Sequence, residues 1–236
     1  MNLILLFKED LITPKKARLS GRRFEHARDI LKVKIGSELT VGKVNGSIGS
    51  GKIVAIAKDS LELELNLKQK APASLDLTLI MALPRPQMFK RTLQCVSALG
   101  VKKIIILNFA KVEKSLWQSS TLKPEEIRQD LILGLEQAKD TVLPKVILKK
   151  QFKPFVEDEL PDLIKDKKAW VAHPGEKGKL SKIDGKGAVL IIGPEGGLVD
   201  FEVDLLKSKG VKAVTLGERI LRFEHVIPYV IGKMSS

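Results

Sequence analysis

Two textures of hydrophobic patterning divide the chain near residue 72. Before that point apolar and polar residues alternate at period two in short runs: Glu38 to Val44, Lys52 to Ala57, and Leu61 to Leu67, where Leu and Glu take turns. Period two sends successive side chains to opposite faces of an extended backbone, so each run predicts a half-buried strand. Gly46, Gly49 and Gly51 fall between the first two runs and read as turn residues linking strands in hairpins. Ahead of these runs one stretch keeps helical spacing, from about Ser20 to Val33, with Ser20 as N-cap and Phe24, Ala27, Ile30 and Leu31 on one face. Its other face holds Arg22, Arg23, Arg28, Lys32 and Lys34. The first part therefore predicts a small twisted sheet or barrel with one basic helix.

From Leu75 onward strands and helices alternate. Strands are expected at Leu75–Leu83, Lys103–Leu107, Lys145–Leu148, Ala169–Ala172, Ala188–Ile192 and Ala213–Leu216. Helices are expected at Gln87–Leu99, at Pro124–Lys139 with Pro124 in the first position, near Val156–Lys165, at Asp200–Lys209, and from about Glu224. Wholly apolar runs such as Val189–Ile192, bounded by helices, predict strands covered on both faces, hence an α/β domain with a mostly parallel sheet and helices on both faces. The stretch Gln69–Ser74, with Pro72, predicts the boundary, giving domains 1–72 and 73–236.

Charge changes this picture. The 41 Lys and Arg against 28 Asp and Glu leave a formal +13, an excess that attracts phosphodiester backbones or anionic lipids. Residues 1–72 carry 14 basic against 8 acidic side chains, so positive charge is densest in the small β-rich part, which reads as a polyanion-binding module. No apolar stretch approaches the ~20 residues of a membrane span, and the run Leu3–Phe7 meets Glu9 and Asp10 too soon for a secretion signal, so nucleic acid is the expected partner. The single cysteine, Cys95, excludes a disulfide framework and thiolate metal clusters, and with three scattered histidines no metal is expected. A reducing, cytoplasmic compartment is therefore the expected location.

In open α/β sheets, ligands collect at the carboxyl ends of strands. Three expected strand ends are unusual: His173, Pro174, Gly175; then Gly193, Pro194, Glu195, Gly196, Gly197; then Leu216, Gly217 followed by Glu218, Arg219, Ile220, Leu221, Arg222. The glycines of the middle loop permit positive φ and strip away side chains, so main-chain N–H and C=O groups can close around a flat ligand. Read by itself, the same loop also suits a tight strand-to-helix turn. Its spacing fits neither a dinucleotide fingerprint nor a phosphate-binding Walker loop.

Taken together, Ile191–Gly197 and Leu216–Arg222 resemble the signature of the RsmE family of SPOUT methyltransferases, which methylate N3 of a uridine in small-subunit (16S) ribosomal RNA. Supporting marks occur in order along the chain: His26–Val33 with Gly36, Leu99–Val101, Leu135–Gln137, and His173, Pro174. The resemblance spans essentially the whole chain. It implies a PUA-like β-barrel for RNA, an α/β domain tied in a trefoil knot, S-adenosylmethionine held in that knot, and a homodimer. It further implies that His173, Pro174, Gly175, Ile192, Gly193, Pro194, Glu195, Gly196, Gly197, Leu216, Gly217, Arg219, Ile220 and Leu221 surround the cofactor.

Some positions depart from the family pattern. Arg222, Phe223, Glu224, His225, Val226 keep an arginine and a glutamate but lose two hydroxyl residues; Arg85–Met88 replaces a basic segment; Lys139, Asp140 replaces an arginine turn; Cys95 stands where lysine is common. For chemistry, N3 of uracil carries a proton at neutral pH, so a group must accept it and another must steady the anion that forms. Glu224 is the candidate for the proton, and Arg222 or Arg219 for the charge or an RNA phosphate, with His225 as an alternative base. Glu224 also suits a helix start, and Arg219 an ion pair. Arg18, Arg22, Arg23, Arg28 and Lys32 are the candidate RNA contacts, whereas Trp170, Phe7, Phe24 and Phe89 read as core. The competing functions are a related methyltransferase with another RNA target and a non-catalytic RNA-binding or ribosome-assembly protein.

Overall fold

Alternating Leu and Glu at 61–67 do form a strand, with Leu61, Leu63 and Leu65 buried and Glu64 exposed. The computed structural model describes residues 2–183 and 185–235, and the chain divides into two units. Unit 1 comprises Met1–Ala73 and Ile132–Leu143; unit 2 comprises Ser74–Leu131 and Pro144–Ser236.

Unit 1 is built on one sheet of β1 (Ile4–Leu6), β2 (Leu11–Thr13), β3 (Lys16–Ser20), β4 (Glu38–Lys43), β5 (Ile48–Ile56) and β6 (Ser60–Gln69), in the order β1-β4-β5-β6-β3-β2. The pairs β2–β3, β3–β6, β4–β5 and β5–β6 are antiparallel, but β1 runs parallel to β4, so the expected all-hairpin linkage does not hold there. Strands β1 to β3, of three to five residues, are too short to announce a period in the sequence. Gly49 turns out to be a strand residue: it lies at a register shift in β5, where a Cβ would run into the Asn66 carbonyl of β6. Close backbone approach, not turn geometry, requires that glycine.

The basic helix is shorter than its spacing suggests. Helix α1 (Gly21–Glu25) continues as a wider turn over His26–Ile30, where Leu31 N–H donates five residues back to the His26 carbonyl at 3.1 Å. Ser20 holds the N-cap place with extended backbone but its side chain caps nothing. The extra residue in the turn rotates the chain beyond it. Phe24 and Ala27 are buried as expected, while Ile30 and Leu31 swing out to 68% and 43% exposure.

Strand β1 explains why residues 132–143 belong to this unit. Its alternate residues face two cores: Ile4 and Leu6 join Leu19, Phe24, Val41, Ile53 and Leu63. Leu3 and Leu5 pack instead with Ile48, Ile132 and Leu135. A buried ion pair fixes α1 against this sheet. Arg23 donates to both Asp10 oxygens and to the Leu5 carbonyl, and Asp10 also accepts from Phe7 N–H at 2.7 Å.

Unit 2 follows the predicted alternation closely. Strands β7 (Leu75–Ala82), β8 (Val101–Leu107), β9 (Lys145–Lys149), β10 (Lys168–Ala172), β11 (Ala188–Ile192) and β12 (Lys212–Val214) form one sheet in the order β12-β10-β11-β7-β8-β9, every pair parallel. The helices are α2 (Pro86–Ala98), α3 (Pro124–Ala138, of which residues 124–131 belong to this unit), α4 (Phe152–Pro154), α5 (Leu160–Ile164), α6 (Asp200–Ser208) and α7 (Phe223–Ser235). The single helix expected near Val156–Lys165 is instead a wide turn, Phe155–Glu159, leading into α5. All five residues of β11 are buried, as a parallel strand covered on both faces must be. Trp170 and Phe89 lie in this core at 3% and 0% exposure.

Deleting the Asp10 carboxylate would strand the Arg23 guanidinium, whose side chain is 13% exposed. Breaking a buried pair from one side costs about 3–5 kcal/mol, so Asp10→Ala is expected to destabilise unit 1 by about 3 kcal/mol in urea unfolding. A loss under about 1 kcal/mol would mean that the pair is effectively solvated.

Candidate active site

The strand order puts β12, β10 and β11 side by side and parallel, so the segments that leave their carboxyl ends emerge at one edge of the sheet. Those segments wall a cavity of about 750 Å3. The first contributes His173, Pro174 and Gly175, the second Ile192, Gly193, Pro194, Glu195 and Gly197, the third Leu216, Gly217, Arg219, Ile220 and Leu221. Gly196 is not part of the wall: its carbonyl accepts from Lys111 Nζ at 2.8 Å. Ala172, Glu176, Leu198, Thr215, Glu218, Phe223 and Val226 complete the lining, and no motif in the sequence marks Leu198 or Thr215.

Four glycines, Gly175, Gly193, Gly197 and Gly217, leave parts of this wall without side chains. Gly197 has φ +75, and its N–H closes a turn on the Pro194 carbonyl at 2.8 Å. Gly217 has φ +124, a conformation that only glycine adopts without strain. At Gly193 a Cβ would lie 2.9 Å from Leu198 Cγ, so a side chain there would displace the wall itself. The third segment is held by Tyr229 Oη, which donates to the Leu216 carbonyl at 3.2 Å.

A buried carboxylate braces the middle loop from behind. Glu202 is 2% exposed; its Oε1 accepts from Ala110 N–H at 2.7 Å and its Oε2 from Val199 N–H at 3.0 Å. A glutamate three residues past the residue that precedes α6 is the reach-back half of a capping box, a signal present in the sequence. Its second bond, to the segment after β8, is long-range and left no trace there.

The volume falls within the roughly 300–1,000 Å3 of small-molecule sites. Ile192, Leu198, Leu216 and Leu221 supply apolar surface for a planar base, and the glycines free main-chain groups for its polar edge. His173 Nδ1 is buried and, among the described residues, has no hydrogen-bond partner, a vacancy that a polar ligand atom satisfies. The residues therefore fit a nucleoside of the S-adenosylmethionine type.

The three catalytic candidates separate. Arg219 lines the cavity and is exposed. Arg222 is exposed outside it, with its carbonyl accepting from His225 and Val226 N–H at the start of α7. Glu224 lines an adjoining groove of about 130 Å3 with Met88, Cys95, Ile227 and Pro228, and Phe223 borders both spaces. Burial pushes the Cys95 thiol above its ordinary range, which keeps it neutral and unreactive.

In unit 1 four of the five candidate RNA contacts are ion-paired. Arg18 pairs with Glu62 and Arg22 with the buried Glu136, each at 2.7 Å. Arg28 pairs with Asp29 and lies over the Phe24 ring, while Arg23 is enclosed around Asp10 and offers little surface. Lys32 is exposed at φ +50. Burial, then nearby positive charge, holds the His26 imidazole below its ordinary value, so it is neutral at pH 7. Among the described residues no group of three or more His, Cys, Asp or Glu could hold a metal ion, and no helix is long and apolar enough to cross a membrane.

A model of the RNA methyltransferase domain matches residues 71–235. The ribosomal RNA small subunit methyltransferase E of Treponema pallidum is 31% identical over 232 residues, covering 94% of this chain and 86% of that relative. Ribosomal RNA small subunit methyltransferase E 1 of Borreliella burgdorferi is 27% identical over 231 residues, covering 95% and 93%. In fold, the chain resembles a crystal structure of ribosomal RNA small subunit methyltransferase E from Neisseria gonorrhoeae bound to S-adenosyl methionine. The TM-score is 0.81 at 22% identity, over 99% of this chain and 96% of that one. With glycine-walled loops at three adjacent strand ends and likeness over nearly its full length, the chain belongs to the RsmE family of RNA methyltransferases.

Proposed function

We propose that the protein is an S-adenosylmethionine-dependent methyltransferase that methylates N3 of a uridine in small-subunit ribosomal RNA. The observation that carries this reading is the cavity of about 750 Å3 enclosed by the loops at the ends of β10, β11 and β12. His173–Gly175, Ile192, Gly193, Pro194, Glu195, Gly197 and Leu216–Leu221 would hold the cofactor. When bound, it supplies a methyl group already activated on a sulfonium, so the chain's own task is alignment and proton management.

The N3 proton of the uracil must leave before or during attack. In this reading Glu224, in the groove that shares Phe223 with the cavity, accepts it. Arg219, on the cavity wall, faces the negative charge that develops on the uracil carbonyl oxygens, and Arg222 serves that charge or an RNA phosphate. His225, exposed on α7, is the less favoured base because it lines neither space. The same reading includes a trefoil knot in unit 2. It also includes a PUA-like barrel for unit 1, a homodimer and a cytoplasmic location. On the RNA side, Lys32 and the exposed parts of Arg18, Arg22 and Arg28 add to the basic surface of unit 1.

Calorimetric titration with S-adenosylhomocysteine is expected to give one site per chain. Gly193→Val, which drives a side chain into Leu198, should weaken that binding at least about tenfold, the scale of ~1.4 kcal/mol of lost contact. Heat unchanged by the substitution would remove the cavity from the proposal. Arg222→Ala should lower methyl transfer at saturating RNA by about 10²-fold if it steadies the developing charge; an unaltered rate takes it out of the mechanism. Mapping methylated uridines in ribosomal RNA from cells with and without the gene decides the target, and a missing mark elsewhere than in the small subunit would redirect it.

A further inference from the structure

Unit 1 contains a second concavity, of about 550 Å3, bounded by β4, β5, β6 and the turn after α3. Lys68 from β6, Lys70 from the stretch beyond it and Lys139 line it, with Thr40, Ser50 and Asn66 adding hydroxyl and amide groups. Among the described residues no acidic side chain lines it. None of the three lysines has a carboxylate within ion-pair distance among the described residues, whereas Arg18, Arg22, Arg23 and Arg28 each have one within 2.7 Å. Other lysines of this unit are likewise without an ion pair among the described residues, but Lys68, Lys70 and Lys139 share one concavity free of acidic side chains.

The backbone that carries Lys139 is unusual and firmly held. Lys139 has φ +56, left-handed and uncommon for a residue with a Cβ. The next residues lock onto the β4–β5 turn: Thr141 Oγ1 donates to the Gly46 carbonyl at 2.6 Å, Asn45 N–H to the Thr141 carbonyl at 2.8 Å, and Leu143 N–H to Asn45 Oδ1 at 2.9 Å. The left-handed angle ends α3, with Asp140 N–H donating back to the Leu135 carbonyl at 3.0 Å, and these bonds fix where the Lys139 backbone meets the cleft.

We propose that this cleft binds a phosphodiester segment of the RNA substrate, with Lys68, Lys70 and Lys139 neutralising phosphates and the hydroxyl and amide groups contacting phosphate oxygens or ribose hydroxyls. The proposal rests on the reading of the protein as an RNA methyltransferase. It differs from the helix-face expectation in residues and in location.

The test is filter binding of the full chain to a small-subunit ribosomal RNA transcript across about 50–300 mM KCl, where each phosphate contact contributes about 0.7–0.9 to the salt slope. The triple variant Lys68→Gln, Lys70→Gln, Lys139→Gln is expected to bind at least about tenfold more weakly at about 100 mM salt, with a slope shallower by about 2–3. Its S-adenosylhomocysteine affinity and thermal midpoint should match the parent. The single variant Lys70→Gln, on an exposed stretch, should lower the slope by about 1 and keeps the test open if the triple variant folds poorly. Variants that bind RNA with the parent's affinity and slope overturn the cleft alone. A parent chain that takes up S-adenosylhomocysteine but no ribosomal RNA overturns the underlying RNA reading as well.

Discussion

Side-by-side parallel pairing of β12, β10 and β11 is the constraint on which the candidate site depends. Parallel strands deliver all their carboxyl ends to one edge, and adjacency brings three separate loops within reach of one small molecule. Nothing in the loops themselves could do this. His173 and Leu216 are 43 residues apart in the sequence, yet His173 N–H donates to the Val214 carbonyl, so the β10–β12 ladder continues to the mouth of the cavity. The buried, wholly apolar β11 anchors the centre of this trio, because register along a strand covered on both faces has little freedom to slip.

Given that frame, the loops need only avoid filling the space they enclose. Gly193, Gly197 and Gly217 do this by having no side chain or by adopting backbone angles that side chains resist. Loops with several glycines are intrinsically loose, since glycine gains the most conformational entropy on release. Glu202 offsets that looseness. One buried carboxylate holds N–H groups from two separate segments, so the middle loop is tied to the segment after β8 and cannot relax independently.

The α/β unit was largely legible because its strands are buried on both faces and its helices begin at readable signals such as Pro86 and Pro124. The glycine loops were legible as a ligand cradle only in combination, since each alone also suits a turn. In unit 1 the physics hid more. Short β1 to β3 give no measurable period, and a five-residue turn at His26–Ile30 rotates the helix face, so Ile30 and Leu31 reach solvent although their spacing with Phe24 reads as core. The binding of Ile132–Leu143 into unit 1 was invisible because it depends on β1 being apolar toward two cores at once.

Sequence shows charge but not its partner, and the structure supplies the partners. Arg22 meets a glutamate that is 2% exposed, and Arg23 encloses an aspartate, so much of the positive charge on α1 serves the fold of unit 1. Desolvated carboxylates demand such partners, and a guanidinium fixed in a bidentate pair must exchange one anion for another before it can hold a phosphate. Lysines without such partners face no exchange. On these grounds an ammonium group without a carboxylate partner is more readily available to a polyanion than a guanidinium already held by one.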